Sequence, residues 1–281
     1  MSLRSALGWI AASLVVAAAP TAAAQQPLDQ GKYPAFEGQW IRIGPIERFD
    51  QTKPPALGQE APLTPEYQAI FRANLADVAK GGFGDDPVYT CIPEGMPRAM
   101  NLILPMEFVI KPNITYIHME YLGMLRRIYT DGRSFPADEA PSWMGYSIGK
   151  WLDEGGSGRY DVLEVETRSL KNPRTYDASG LPLHQDAQTI VKERFYLDKA
   201  SPDTLHDQIT VYDHALTHPW TVLKTMRREP NPIWVESVCA ENNLQVNIGN
   251  EHYMLNNLGE LMPAKKDQPP PDLEHFNQPK K

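Results

Sequence analysis

Cysteine is scarce here, with only Cys91 and Cys239 among 281 residues. That excludes a disulfide-dense scaffold, and the length is ample for a core without such staples. A pair so far apart reads as one disulfide, clipping the region after the first helix to the C-terminal region. The sharper alternative, a cysteine nucleophile, would leave an exported thiol open to oxidation. A basic stripe is missing too. With 27 basic and 35 acidic residues the chain is acidic, a poor partner for nucleic acid or an anionic membrane. Long apolar runs are absent beyond the N-terminus, so no membrane span is expected after processing. The sequence also lacks a GxSxG elbow, a phosphate loop, a dinucleotide fingerprint and a CxxCH haem site. No cofactor is therefore expected; cofactor-free chemistry or plain binding remains.

At the N-terminus, Arg4, the apolar run Leu7–Ala19 and the small residues Thr21–Ala24 form a signal-peptide pattern, with cleavage expected between Ala24 and Gln25. Loss of Arg4 takes the basic count from 27 to 26 against 35 acidic residues, a net charge of −9. The mature chain is expected to be periplasmic or secreted. Residues 25–62, rich in Pro, Gln and Gly, read as an extended arm with one strand-like piece at 39–43. Thr64-Pro65-Glu66 starts a helix over 64–80, with an N-cap hydroxyl, proline in the first turn and a carboxylate at the positive end. Tyr67, Ile70, Phe71, Leu75 and Val78 recur at helical spacing as a core stripe, and Gly81-Gly82 ends it.

From Phe108 the pattern changes to period two. Strands are expected near 108–111, 115–121, 125–130, 147–151, 162–167, 189–197, 205–212, 221–227 and 234–238, with Gly-, Asp- and Pro-containing turns between them. Few helices and short turns indicate an antiparallel meander that closes to remove its edges. The expected fold is mainly β, a calycin or lipocalin-like barrel with one covering helix. Residues 63–262 form this single domain, and 263–281 form a disordered tail. The sequence carries no information on oligomeric state.

Alternation assigns faces without saying which is interior. Tyr116, His118 and Glu120 share one face; Arg127, Tyr129 and Asp131 share one on the next strand. Glu193 goes with Val191 and Phe195, opposite Lys192, Arg194 and Tyr196. Glu164, Glu166 and Lys192 read as solvent-facing ion pairs. His118 beside Glu120 is a tunable acid–base unit, with His184 as a further proton carrier. Arg126 or Arg127, with Tyr129 and Arg133, could hold a phenolate or an oxyanion. Trp143, Tyr146, Trp151 and Trp220 would wall an apolar pocket, with Asp213 and His218 at its edge. His214 and His218 are spaced for a metal only on a helix or tight loop, with His184, His118 or Asp213 as third ligand; the expectation is no metal.

RRIYTDGR (126–133), WMGYSIGKW (143–151), VLEVET (162–167), GLPLH (180–184), KERF (192–195) and THPWT (217–221) follow one another in an order that resembles a group of exported, mostly uncharacterised bacterial proteins from proteobacteria and acidobacteria. The resemblance covers roughly residues 91–243. It departs at Tyr146, where members carry His, and at 154–161, where they carry a Gly-Asp pair. It implies an exported β-rich domain that handles aromatic or terpenoid compounds in the periplasm, with Tyr146 or another group standing in for that histidine. The resulting expectation is a cofactor-independent lyase or isomerase acting on a small aromatic, lignin-derived or hydrophobic alcohol. The alternatives are a lipocalin-like carrier of a small hydrophobic ligand without turnover, and a structural envelope protein whose arm and tail bind partners.

Overall fold

The computed structural model describes residues 29–46, 48–242, 244–249, 251–271 and 273; the expected signal peptide lies outside them. Nine strands form a closed barrel. They are β1 (Gln39–Arg42), β2 (Met106–Lys111), β3 (Ile114–Met119), β4 (Met124–Tyr129), β5 (Tyr146–Leu152), β6 (Val162–Arg168), β7 (Ile190–Leu197), β8 (Thr204–Tyr212) and β9 (Trp220–Arg228). One helix, α1 (Pro65–Val78), precedes β2. A second, three-stranded sheet, β10 (Gln245–Ile248), β11 (Glu251–Leu255) and β12 (Leu261–Pro263), follows the barrel. Among the described residues, no helix is long and apolar enough to cross a membrane.

The barrel is not a pure antiparallel meander. β4 and β5 pair in parallel, Ile128 with Ser147 and Tyr129 with Ile148. Parallel neighbours need a crossover, and the long 130–145 connection supplies it. Gly145 ends this crossover with φ +68°, and a Cβ there would stand 2.5 Å from the Arg168 carbonyl oxygen. Only glycine satisfies both conditions.

Closure also differs from expectation. The segment 234–238 forms no strand. Pro230 and Pro232 deprive the chain entering it of amide donors. β1 takes the closing position, antiparallel to both β2 and β9. Within the stretch read as an arm, the strand-like piece is thus a barrel strand at 39–42, and Phe36, Trp40 and Phe49 are fully buried. Nor do the described residues beyond 262 lack contacts: Lys265 bridges Asp77 and Glu251, and Gln268 is buried, while the rest of the expected tail, 272 and 274–281, lies outside the described residues.

The helix begins as its cap requires, with Thr64 Oγ1 accepting the Tyr67 amide. Only Phe71 of its expected stripe is buried; Ile70 and Val78 are exposed. Cys91 and Cys239 form a disulfide.

Alternation puts Met124, Arg126 and Ile128 of β4 inside the barrel, with Val191, Glu193 and Phe195 of β7 and Trp220, Val222, Lys224 and Met226 of β9. Phe36, Phe108, Phe195 and Trp151 pack ring against ring there, so aromatic side chains fill this part of the interior.

Candidate functional site

Two polar systems stand out, one sealed inside the barrel and one on its outer face. Inside, Arg126 donates to both oxygens of Glu193 at 2.9 and 2.6 Å, and to Thr167 Oγ1 at 3.2 Å. Thr167 in turn meets Ser147 at 2.8 Å. Lys224 donates to the Phe49 carbonyl and to Asn101 Oδ1 at 2.6 and 2.8 Å. Asp207 stands opposite Lys224 in the β8–β9 ladder, and neither of its carboxylate oxygens has a hydrogen-bond partner among the described residues. Burial, reinforced by the charge of Glu193, holds the Asp207 carboxyl well above the usual carboxylate range. Burial also pushes the Lys224 ammonium down to about 8, although Asp207 and other carboxylates work against it.

Arg126, Glu193, Asp207 and Lys224 are at most 2% exposed, so this layer is sealed from solvent inside the barrel. Lys224 yields a pH prediction. Its folded form releases a proton near pH 8, whereas the unfolded chain keeps one to its ordinary 10.5. Between these values the unfolded state binds more protons, so this contribution to stability grows with pH and is lost as pH falls toward 8. Lys224→Met should remove that rise from urea midpoints measured between pH 8 and 10; an unchanged slope would refute it.

The expected site residues do not converge on one interior pocket. Trp151 and Trp220 are core side chains, the former against Tyr33 and Phe36, the latter between Phe49 and Tyr176. Trp143 is half-buried in the crossover with Lys171 Nζ 5.0 Å from its ring centre, and Tyr146 faces outward. His118 lies on the outer face, its ring 4.6 Å from that of Trp234. Glu120 is buried and accepts the Val235 amide, while Arg127 is exposed.

Tyr129, Arg133 and Tyr146 do meet. Arg133 lies 3.9 Å from the Tyr129 ring centre, Tyr129 stacks on Tyr146 at 5.0 Å, and Asp131 holds Arg133 at 2.6 Å. The density of cations and aromatics in 129–146 pins the parallel crossover to the sheet.

Around the outer face, a depression of about 490 Å³ runs across β5 to β8. Ile148 and Lys150 line it from β5, Glu164 and Glu166 from β6, Lys192 and Arg194 from β7, and Gln208, Thr210 and Tyr212 from β8. Arg194 pairs with Glu164 and, at 2.6 Å, with Glu154. Lys192 and Arg168 share Glu166 at 3.3 and 2.5 Å. The expected ion pairs therefore form, and Lys150 is left without one among the described residues. A larger trough of about 1000 Å³ adjoins at Arg194 and contains a His206–Asp198 pair at 3.2 Å. That histidine is committed on both sides, because its other ring nitrogen meets Thr225 Oγ1 at 3.3 Å.

At the end of β8, Asp213 Oδ1 accepts the amides of His184 and Ala215, and its Oδ2 accepts the Thr189 hydroxyl at 2.6 Å. This carboxylate ties two loops together and brings His184 and His214 to Asp186. His218 does not join them; its Nδ1 meets its neighbour Thr217. Asp186 escaped sequence reasoning, although the His-x-Asp spacing at 184–186 was the available signal. Asp207 and Lys224 had a signal too: each is a charge in the apolar phase of its strand, as Glu193 is beside Val191 and Phe195.

No family model matches the chain, and no curated protein matches it in sequence.

Proposed function

We propose that this protein binds a small aromatic molecule carrying one negative charge, in the depression on the outer face of β5 to β8. The observation that carries this reading is a cation surplus. Lys150, Arg168, Lys192 and Arg194 face only Glu154, Glu164 and Glu166, with Lys150 unpaired among the described residues. An anion placed against Lys150 would restore the balance. Ile148 and the Tyr212 ring supply apolar surface, and about 490 Å³ suits a single-ring compound.

Thermal shifts against a panel of lignin-derived aromatic carboxylates, phenols and neutral alcohols would test it. Saturable stabilisation is expected with the anionic aromatics, on the order of 2.7 kcal/mol at a hundredfold excess over Kd. Lys150→Ala and Lys192→Ala should each weaken it about tenfold, equivalent to ~1.4 kcal/mol. Stabilisation by neutral alcohols alone, or indifference to both substitutions, would overturn the assignment. Mass spectrometry of the recovered compounds adds a second readout. Intact ligand supports binding; a new isomer or fragment would replace it with the lyase or isomerase reading.

A further inference from the structure

We propose that His184, Asp186 and His214 bind one divalent transition-metal ion at the end of the barrel. One ligand atom from each residue lies within 4.8 Å of the other two. Asp186 Oδ2 stands 3.2 Å from His184 Nδ1 and 2.7 Å from His214 Nδ1. Ligand atoms about 2.1 Å from an ion stand roughly 3 Å from one another, so little movement is needed to close on one.

The contacts that join the cluster are ones a cation can replace. Asp186 Oδ2 shares a hydrogen bond with His214 Nδ1 at 2.7 Å, and the Asp186 amide donates to His184 Nδ1 at 3.1 Å, so both rings are already turned toward one short segment. An ion bound there takes the place of the shared proton and of the amide contact.

The group is braced from behind. Asp213 fixes the His184 backbone, and Thr189 fixes Asp213. Asn172 Nδ2 donates to the Asp186 carbonyl at 3.0 Å, and Arg174 holds both Asn172 and Thr189. Such outer partners orient ligands and hold them ready. Two imidazoles with one carboxylate favour zinc, iron(II), cobalt or nickel over calcium and magnesium. The His214 side chain is 60% exposed, which leaves open positions for water or a small ligand. The inference is independent of what the outer depression binds.

The test uses tag-free full-length protein stripped with chelator and titrated with zinc against a chromophoric competitor. One equivalent is expected to bind, with a rise in melting temperature. His184→Ala and His214→Ala should each lower affinity at least tenfold, and His218→Ala, on the neighbouring loop, should leave it unchanged. Melting of the metal-free variants checks that each remains folded. Absence of stoichiometric zinc binding, or equal affinity in wild type, His184→Ala and His214→Ala, would overturn the site.

Discussion

Arg126→Ala should cost about 3–5 kcal/mol of stability, because it strands a carboxylate inside the barrel. Arg126 makes a two-pronged contact with Glu193, and neither side chain has any exposed surface. Desolvating both charges is expensive, and their mutual contact, with the bonds to Thr167 and the Met100 sulfur, offsets it. Removal of the guanidinium leaves Glu193 buried near Asp207, whose own carboxylate oxygens have no hydrogen-bond partner among the described residues. The double replacement Arg126→Met with Glu193→Leu removes both charges and should recover much of the loss. Guanidinium unfolding at constant m-value reads all of this; a loss below about 1 kcal/mol for Arg126→Ala would show that the pair is not energetically coupled.

Opening the Cys91–Cys239 disulfide should have an effect of similar size. The bridge spans 148 residues and encloses β2 to β9. The chain-entropy relation assigns a loop of that length about 5 kcal/mol, near the upper end of measured effects. The loss has a location as well. Cys239 pins the irregular stretch after β9, where Ile233 and Val235 are 70% and 54% exposed and contribute little burial of their own. The second sheet keeps other attachments, including Lys265 with Asp77 and Phe83 against His252. Limited proteolysis of Cys91→Ser/Cys239→Ser should therefore cut first within 229–242, before the barrel itself. An unfolding midpoint equal to that of the wild type, with no early cleavage, would show that the bridge is energetically idle.

Much of this architecture was legible because it is local. Thr64-Pro65-Glu66 starts the helix through cap chemistry confined to one turn. Alternation along β3 to β9 reports which side chains share a face, since successive Cβ atoms point to opposite sides wherever the strand is placed. The distant cysteine pair needed only an oxidising setting. Apolar alternation could not say that 39–42, rather than 234–238, closes the barrel; hydrogen bonding to both β2 and β9 decides that.

Which face is inside is likewise a property of closure. A charge such as Lys224 or Asp207 looks like a surface residue until eight other strands surround it. The density of the 129–146 stretch was visible, yet its role in pinning a parallel crossover depends on β5 lying beside β4 in the same direction. The His184–Asp186–His214 cluster joins Asp186 directly to His214, 28 positions apart, while Asp213 holds the His184 backbone beside them. Sequence by itself determined the barrel strands, the helix and the composition of each of their faces. Tertiary structure alone decided which charges are buried and which histidines meet, because strand register and loop closure bring together side chains that no local spacing relates.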